Sequence, residues 1–341
     1  MNPLISISIV GYNAKKWLKD CLDSVYAQTY RNFEIIFVDD ASTDGSSAYL
    51  KENFSQVKVI INEKNSGFAK NNNIAFRESH GEYFLLLNTD TTIEPDFLEK
   101  IIKSFQEIPN LGVVQPRLIL MYQPDKLDVC GTFWTSFGFL YHYGSYKDKN
   151  LAKYNRNMPI FSGKGACLLI KSEIIDKIGL FDDDFWGYYE ETDFCHRAWL
   201  AGYECWYYPH ADCFHANGGT NAILFKNSHI QFHNAKNKIL SFLKNLEIGT
   251  LIKVLPVYLT LNFTVSIIWL LQGKVNNSLA LHRALVWNIT QFPSTLNKRK
   301  EVQKKRIKKD EEIFKIIKKN PRLSFFYYIF TGLGKYEDEE I

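Results

Sequence analysis

The chain has 341 residues, of which 46% are hydrophobic and 23% are charged. These proportions are typical of a folded protein and exclude general disorder, and the length allows one large domain or two modest domains. The formal net charge is only +4, but basic residues concentrate between 298 and 319 and acidic residues between 182 and 193. The basic run matches no nucleic-acid-binding motif, so we expect no nucleic-acid partner.

The first 110 residues alternate between short β-branched runs and segments with helical periodicity. Strands are predicted at 5–10, 33–38, 57–61 and 83–87, and helices at 14–28, 46–53, 68–79 and 95–105. Strands that alternate with helices build a mainly parallel sheet covered by helices on both faces, so the pattern predicts an α/β fold.

Beyond residue 110 the pattern is less regular. Strands are predicted at 112–120, within 161–170 after residues 162–165, and at 205–208, and helices are predicted at 172–178 and 190–201. Residues 121–160 are predicted to be an irregular segment that covers the substrate, because passive loops of this length are uncommon.

The compartment is predicted from the cysteines and the N-terminus. The six cysteines lie mostly in apolar runs without a C-x-x-C pair, which favours buried, reduced thiols over disulfides or zinc. The N-terminus runs directly into a strand pattern, so we expect no signal peptide and an active part that faces the cytoplasm.

Three acidic clusters each follow a hydrophobic run. They are Asp39-Asp40, Asn88-Thr89-Asp90 and Glu190-Glu191-Thr192-Asp193. Carboxylates placed after strands gather at the mouth of an open sheet, where α/β folds bind their ligands. They repel each other there unless a cation or a transferable proton is present. One cluster alone fits a helix cap or turn, but three in this order favour a functional site.

An ordered set of motifs runs from residue 4 to about residue 220. It comprises Val10-Gly11-Tyr12-Asn13, Val38-Asp39-Asp40-Ala41-Ser42, Asn65-Ser66-Gly67-Phe68-Ala69, Leu87-Asn88-Thr89-Asp90, Tyr189-Glu190-Glu191-Thr192-Asp193, Arg197, Pro209 and His215. The set resembles family 2 glycosyltransferases of the GT-A fold, and most of all the rhamnosyltransferase-type branch that builds bacterial cell-surface polysaccharides.

This resemblance implies a GT-A (Rossmann-like) mixed, mainly parallel sheet flanked by helices, with a helical C-terminal extension. The catalytic domain would cover 1–228, with a nucleotide-binding half at about 1–110 and an acceptor half at about 111–228. Residues 229–341 would form the helical, membrane-associating region.

The resemblance also implies an inverting transfer of a sugar from a nucleotide-diphosphate donor to a hydroxyl of a cell-surface glycan or lipid-linked glycan precursor. The branch favours dTDP-L-rhamnose, and a UDP-hexose or UDP-galactofuranose donor stays open because uracil and thymine offer the same ring N–H. Tyr12 would stack on the base and Asp40 would accept from that N–H. The remaining nucleotide-sugar contacts would come from Val10, Asn65, Asn88 and Asp90.

A leaving nucleoside diphosphate carries developing charge, so a divalent cation, Mg²⁺ or Mn²⁺, is expected. Asp90 matches the metal-holding Asp of the family's D-x-D motif, and His215 matches a histidine that completes the coordination. Asn88 stands where the family has the first acid. Because an amide does not neutralise charge, metal binding is expected to be weaker or to depend on another ligand.

The third cluster is expected to take the proton from the acceptor hydroxyl. Glu191 stands at the family's base position, Glu190 is the reserve base, and Asp193 has the spacing of an ion pair with Arg197, so its structural role comes first. Acceptor contacts are expected from Trp186 and Tyr188 by stacking, for which core packing is an equal alternative, and from Lys164 to a lipid diphosphate.

The C-terminal third predicts contact with a membrane. Residues 251–271 are nearly all apolar but interrupted, which favours an interfacial segment over a spanning helix or an ordinary core helix. Residues 298–319 and the aromatic run 323–330 fit an anionic lipid surface, with a solvated helix face as the alternative. The protein is therefore expected at the inner face of the cell membrane.

Two other functional classes stay open. A sugar nucleotidyltransferase also combines an α/β sheet with paired acids, but it normally has a Gly-rich basic loop near the N-terminus, which residues 10–15 lack. A non-catalytic glycan- or membrane-binding protein would not depend on Glu191 or Asp90.

Overall fold

The computed structural model describes residues 2–217, 227–331 and 333–341, with the backbone alone at 329–331. The strands are β1 (Ile5–Gly11), β2 (Phe33–Asp39), β3 (Lys58–Ile61), β4 (Tyr83–Leu87), β5 (Thr91–Ile93), β6 (Leu111–Leu120), β7 (Gln123–Val129), β8 (Gly131–Trp134), β9 (Leu140–Tyr143), β10 (Met158–Pro159), β11 (Cys167–Lys171) and β12 (Glu204–His215). The helices are α1 (Lys15–Tyr26), α2 (Ser46–Asn53), α3 (Phe68–Arg77), α4 (Phe97–Glu107), α5 (Ser172–Ile178), α6 (Glu190–Leu200), α7 (Asn227–Asn245), α8 (Ile248–Leu271), α9 (Val275–Thr290), α10 (Phe292–Lys304), α11 (Asp310–Ile317) and α12 (Ser324–Thr331).

A mixed sheet with the strand order β10-β12-β6-β11-β4-β1-β2-β3 forms the centre of the described structure. The neighbours from β4 to β3 are parallel, and β12 is parallel to β6. Strand β11 runs antiparallel to both β4 and β6 and joins the two parallel groups. The predicted mixed, mainly parallel α/β sheet is therefore confirmed, and the carboxyl ends of β1, β2 and β4 share one edge.

Helix α1 shows why the predicted helices of the first half are correct. Its apolar residues recur at helical spacing, and Leu18, Cys21, Leu22 and Val25 are all buried against the sheet. Burial of a leucine-sized side chain stabilises the fold by about 1.5–3 kcal/mol, so this stripe holds the helix on the sheet. The six cysteines are buried as free thiols, in agreement with the prediction.

The prediction that 121–160 is an irregular covering segment is wrong. Strand β7 pairs with β6, and β8 and β9 form an antiparallel hairpin in which Trp134 lies opposite Leu140. The hairpin belongs to the core: the Tyr141 hydroxyl donates to Asp338 Oδ1 at 2.7 Å, and the Tyr141 ring packs on Phe325. Local sequence did not reveal these strands because their packing partners lie almost 200 residues further along the chain.

One strand boundary also differs from the prediction. Strand β12 continues past Pro209 to His215, because a register shift between Tyr208 and Asp212 accommodates the proline. Strand β11 begins at Cys167, after residues 162–165 as predicted, and the Cys167 N–H donates to Lys164 O in the turn that precedes it.

The aromatic run 323–330 contributes to the interior more than to a lipid surface. Phe325 is 1% exposed and packs on Tyr141 and Tyr336, whereas Leu323 and Tyr327 are exposed. The basic run is also partly internal, because Lys298 pairs with both Asp182 and Asp184. The boundary at 228/229 between a catalytic domain and a helical region stays a prediction, and both sides share one hydrophobic cluster.

Asp193 joins α6 to α7. It is fully buried and accepts from Arg197 Nε at 2.8 Å and Asn245 Nδ2 at 2.8 Å, with Lys244 Nζ 3.4 Å away. Burial acts to raise the pKa of Asp193, but the charges of Lys244 and Arg197 hold it below its usual value. The intrahelical ion pair predicted with Arg197 is present, which supports the structural role of Asp193, and its place among the catalytic candidates stays a prediction.

We expect Asp193→Asn to lower the free energy of unfolding by about 3–5 kcal/mol, because it leaves two buried cations without their carboxylate. Urea denaturation measures this loss. Asp23→Asn, which removes half of an exposed ion pair with Lys19, is the matched control and should change stability by less than about 1 kcal/mol. Equal stability of Asp193→Asn and the unaltered protein would contradict the assignment.

Candidate active site

The predicted base-reading residues lie at the carboxyl ends of β1 and β2, where Val10 and Tyr12 are half-buried. Asp39 braces the following turn: its Oδ1 accepts from the Ser42 N–H at 2.9 Å and its Oδ2 from the Ser47 hydroxyl. The bracing role that the sequence left open for Asp39 is therefore present.

Asp40 holds the turn that precedes α3. Its Oδ1 accepts from Ser66 N at 2.7 Å and Asn62 Nδ2 at 3.1 Å, and its Oδ2 accepts from Gly67 N at 3.0 Å. Since a carboxylate has about four acceptor positions, one position on Oδ2 remains for an external N–H donor. Asp40 thus organises the turn even before any ligand binds.

Asn65 lies in the same turn with an unused acceptor. Among the described residues, its buried Oδ1 has no hydrogen-bond partner. Buried polar atoms are nearly always paired in native proteins, so an unpaired one beside this turn is an indication of a ligand. The neighbouring Asn71 accepts from Asn62 Nδ2 at 2.6 Å and fills the position where the family often has a glycine.

The second cluster follows β4. Asn88 is half-buried and its N–H donates to Ala166 O, whereas Asp90 is 6% exposed. His215, at the end of β12, places Nε2 3.6 Å from Asp90 Oδ1. Sequence reasoning paired these two residues across 125 positions, and the structure brings them together.

Asp128, at the end of β7, is a site residue that the sequence did not reveal. Its Oδ2 lies 2.7 Å from His215 Nδ1, and Lys164 Nζ donates to both of its oxygens at 2.7 and 2.8 Å. Burial acts to raise the pKa of Asp128, but Lys164 and His215 bring it to about 2. Asp128 was missed because it lies in the stretch that was predicted to be irregular.

Lys164 is therefore already paired with Asp128, and its contact with a lipid diphosphate stays a prediction. Besides Asp128, its ammonium contacts Asn217 Oδ1 at 3.0 Å. A cation with these partners neutralises the buried carboxylate and offers little to an acceptor.

The residues fit a divalent cation through the chemistry of their donors. His215 donates through Nδ1 to Asp128, which leaves Nε2 as the ligand atom facing Asp90. Carboxylates beside metal-binding histidines commonly fix the ring in this way. Among the described residues, no group of three or more His, Cys, Asp or Glu side chains is arranged to hold a metal. Such a pair suits Mg²⁺ or Mn²⁺, which take one or two protein ligands and complete their coordination with phosphates and water.

Glu190 and Glu191 begin α6, and their environments separate their proton affinities. Burial raises the pKa of both, and the charge of Glu191 raises the pKa of Glu190 further. Backbone N–H groups, which include those of Thr192 and Gly165, and the charge of Lys164 act to lower the pKa of Glu191 against the larger effect of burial. Glu190 therefore retains its proton while Glu191 ionises first, which suits Glu191 as the base.

The segment before Glu190 is strained. Trp186, Tyr188 and Tyr189 have positive φ angles of 60°, 68° and 73°, which L-residues rarely adopt. Each such residue costs about 1 kcal/mol or more and persists only where its surroundings enforce it. The local sequence, rich in large aromatic residues, gave no sign of this conformation.

Asn237 of α7 enforces that conformation. Its Nδ2 donates to the carbonyls of Phe185, Gly187 and Tyr188 at 3.0, 2.8 and 2.5 Å. A residue beyond the ordered motifs therefore shapes the segment that presents Glu191.

The turn held by Asp40 and the segment before Glu191 are in direct contact. Ala69 N donates to Trp186 O at 3.0 Å, and a side chain at Gly67 would overlap Trp186. A Cβ added at Gly165 would lie 3.5 Å from the Phe68 ring and 3.7 Å from Glu191 Cβ. The first and third acidic clusters therefore border one site.

The two aromatic acceptor candidates differ. The Trp186 ring packs against His229 and His233, with centroid distances of 4.7 and 5.0 Å, so packing accounts for much of its environment. The buried Tyr188 hydroxyl has no hydrogen-bond partner among the described residues, and burial raises its pKa to about 12. Tyr188 is thus an available donor, and stacking on a sugar stays a prediction for both.

Two relatives illustrate the similarity at the sequence level. An uncharacterised glycosyltransferase of Haemophilus influenzae is 35% identical over 138 residues, which cover 40% of this chain and 42% of that protein. The putative teichuronic acid biosynthesis glycosyltransferase TuaG of Bacillus subtilis is 34% identical over 108 residues, or 31% of this chain and 43% of TuaG. The chain thus matches less than half of the length of these relatives.

Solved structures show the same fold. TarS 1–349 of S. aureus in complex with UDP-GlcNAc has a TM-score of 0.58 at 16% identity, covering 88% of both chains. GalNAc-T7 with UDP, GalNAc and Mn²⁺ has a TM-score of 0.55 at 17% identity, covering 70% of this chain and 47% of that one. At such identities the likeness concerns the fold alone, which is that of GT-A glycosyltransferases.

The first half of the chain carries the family signature. Residues 6–179 match the glycosyl transferase family 2 sequence model, and this match spans just over half of the 341 residues. The matched range contains the first two acidic clusters and the turn between them. The chain belongs to glycosyltransferase family 2.

Proposed function

We propose that this protein is an inverting glycosyltransferase that moves a sugar from a nucleotide-diphosphate donor to a hydroxyl of a cell-surface glycan or lipid-linked precursor. The observation that carries the proposal is the contact between the Asp40-held turn and the strained segment that presents Glu191. It brings a nucleotide-binding edge and an ionisable base to the same site.

The donor side is proposed to bind a pyrimidine nucleotide. Tyr12 stacks on the base, Asp40 accepts from the ring N–H, and the free Oδ1 of Asn65 accepts a ribose hydroxyl. Val10, Asn88 and Asp90 line the remainder of this side. We retain dTDP-L-rhamnose as the donor and UDP-sugars as the competing donors, which solved neighbours such as TarS with UDP-GlcNAc support.

A panel of nucleotide sugars tests which donor the protein uses and whether it catalyses sugar transfer. Purified protein is incubated with dTDP-L-rhamnose, UDP-glucose, UDP-GlcNAc, UDP-galactofuranose and GDP-mannose in the presence of a lipid-linked acceptor, and nucleoside diphosphate release is measured. No release from any donor would overturn the transferase proposal and favour a glycan-binding protein. Inorganic pyrophosphate production from a nucleoside triphosphate would favour the nucleotidyltransferase alternative.

Glu191 is proposed to accept the acceptor's proton, and its carboxylate stabilises positive charge on the sugar ring in the transition state. We expect Glu191→Gln to lower kcat by about 10²–10⁴-fold. Glu190→Gln should retain most of the rate, because Glu190 holds its own proton. Normal turnover of Glu191→Gln, or a larger loss in Glu190→Gln, would transfer the role to Glu190.

The same assignment predicts an acidic limb in the pH profile of kcat/KM. Burial raises the pKa of Glu191, so the rate should rise with pH through a midpoint above the usual Glu value of about 4.3. Below that midpoint Glu191 is protonated and does not accept a proton. A profile that is flat down to pH 4 would contradict this role.

Asp90 and His215 are proposed to hold a divalent cation, and the presence of Mn²⁺ in two solved structures of similar fold supports this proposal. When bound, the cation neutralises charge on the leaving diphosphate. Asp128 fixes the His215 ring, so Asp128→Asn should weaken the apparent Mn²⁺ affinity by about 10–100-fold. The Mn²⁺ dependence of nucleotide release measures this shift, and Asp125→Asn on the same strand is the exposed control. Full activity in chelator would contradict metal dependence.

Helices α8 and α9 are proposed to rest on an anionic membrane. Among the described residues, one helix, α8, is long and apolar enough to cross a membrane. Only 17% of its most apolar stretch is buried inside the protein. Val254, Tyr258 and Ser266 face the protein, whereas Ile252, Phe263 and Ile267 are exposed. One protein-bound side and one bare apolar side suit a helix lying in the interface rather than spanning it.

The distribution of charge also supports membrane contact by this surface. Residues 248–309 contain eleven Lys and Arg and only one acidic residue, Glu301. Such a balance attracts anionic lipid headgroups at about 1 kcal/mol for each basic residue near the surface. The proposed location is therefore the inner face of the cell membrane, with 229–341 as the associating region.

Ile252→Glu and Phe263→Glu should each reduce binding to phosphatidylglycerol vesicles by about tenfold or more, since each removes a buried apolar contact and adds a repelled charge. Co-sedimentation measures the bound fraction. Tyr122→Glu, an equally exposed position at the β6–β7 turn, is the control and should bind as before. Deletion of 298–341 is a poorer test, because it removes the buried Phe325 and Asp338. Unchanged binding of both variants would contradict the surface.

A further inference from the structure

Lys238 of α7 is a half-buried cation without an acidic partner. Its ammonium lies 5.2 Å from the Phe139 ring centroid, 5.4 Å from that of Tyr189 and 5.5 Å from that of Tyr258. Among the described residues it makes no hydrogen bond or ion pair. The faces of three rings attract a cation, but they do not neutralise it.

The neighbouring lysines of α7 show how unusual this is. Lys244 pairs with Asp182 and Asp193, and Lys236 donates to the carbonyl of Asp184. Burial lowers the pKa of Lys238 to about 8, and no carboxylate acts in the opposite direction. A half-buried charge that has aromatic rings but no carboxylate around it is incompletely compensated, so an anionic partner from outside the described structure is expected.

The cation lies beside the segment that presents the proposed base. Tyr189, whose ring it faces, immediately precedes α6 and stands two residues before Glu191. Asn237, next to Lys238, clamps the same segment. Lys238 and Glu191 are therefore held by one rigid arrangement of α6 and α7.

The β8–β9 hairpin closes the other side of this region. His142 lies opposite Thr132, whose hydroxyl contacts that of Ser162 at 2.6 Å, and Ser162 in turn contacts Thr192 beside Glu191. Burial lowers the pKa of His142 to about 4, and the charges of Lys238 and Lys164 lower it too. The hairpin face is thus neutral at physiological pH. Lys164 is paired with Asp128, whereas Lys238 has no acidic partner in the part of the chain that the structure describes.

We infer that Lys238 binds a phosphate group of the acceptor, with the ring cage and α8 contacting an apolar portion next to that phosphate. Tyr258 lies on α8, whose exposed Val257 and Leu261 continue from the cage towards the apolar surface. A phosphate bound to Lys238 neutralises the ammonium. The apolar portion of the ligand next to that phosphate then contacts the three aromatic rings rather than water. This inference rests on the proposed transferase function and names the acceptor class for it.

The phosphate has two possible carriers, a lipid phosphate and a soluble phosphorylated glycan, and the probes distinguish them. Farnesyl phosphate, farnesol and inorganic phosphate are titrated into the full chain by calorimetry, with chelator present so that a metal at Asp90 does not capture the phosphate. Farnesyl phosphate should bind at least tenfold more tightly than farnesol. If inorganic phosphate binds as tightly as farnesyl phosphate, Lys238 still serves a phosphate, but the carrier is a soluble one.

Variants assign the effect to the side chain. Lys238→Met should weaken farnesyl phosphate binding by about 10–100-fold, as expected for a lost charge-assisted contact, whereas Lys238→Arg retains it. Farnesol should bind equally to all forms. Lys300→Met, at an exposed lysine of α10, is the matched control, and melting temperatures establish that each variant is folded.

Equal binding of farnesyl phosphate and farnesol to the unaltered protein would overturn the inference without any variant. So would unchanged phosphate binding in Lys238→Met. Either result is separable from failure of the transferase proposal, because the titrations measure binding of the acceptor phosphate, whereas the transferase proposal is tested by nucleoside diphosphate release from the donor panel. If the protein releases nucleoside diphosphate but does not bind farnesyl phosphate or inorganic phosphate, the proposed transferase function stands and the phosphate-containing acceptor is rejected.

Discussion

The buried carboxylate of Asp193 is the contact on which the rest of the site depends. It lies at the start of α6 and receives Arg197 from its own helix and Lys244 and Asn245 from α7. These contacts fix α6 against α7, because separating the two helices would leave buried charges without their partners. Glu191 is two residues away, and Asn237 acts from the other side of the same interface.

The site shows a division of carboxylates by environment. Asp39 and Asp40 accept from backbone N–H groups and hold the turns beside the proposed nucleotide edge, and Asp40 retains one acceptor position on Oδ2. Asp128 is kept ionised by Lys164 and orients His215 towards Asp90. Glu190 and Glu191 instead lie at the N-terminus of α6, where burial raises the pKa of both and backbone N–H groups act to lower it. Similar side chains are therefore suited to hold a turn, to orient a neighbour or to exchange a proton according to what surrounds them.

The C-terminal helices are part of this arrangement rather than an appendage. They supply Asn237 and Lys238 beside the proposed base, and Asp338 accepts hydrogen bonds from Tyr141 and Tyr154 of the predicted acceptor half. The surface they expose is apolar and flanked by cations, so the same helices that shape the acceptor side would also orient it towards a membrane. The residue that we assign to an acceptor phosphate lies between these two features.

The sequence by itself determined the α/β sheet, because the apolar periods of the first 110 residues are local and strong. It also placed Asp40, Asp90 and the Glu190–Glu191 pair after their strands or at the start of their helix, since motif order follows chain order. Only the tertiary structure decided that Asp128 supports His215, that Lys164 is already paired and that Lys238 has no acidic partner among the described residues. Those outcomes depend on contacts between β7, β12, α7 and the β8–β9 hairpin. Such contacts join residues tens to hundreds of positions apart, which no local pattern encodes.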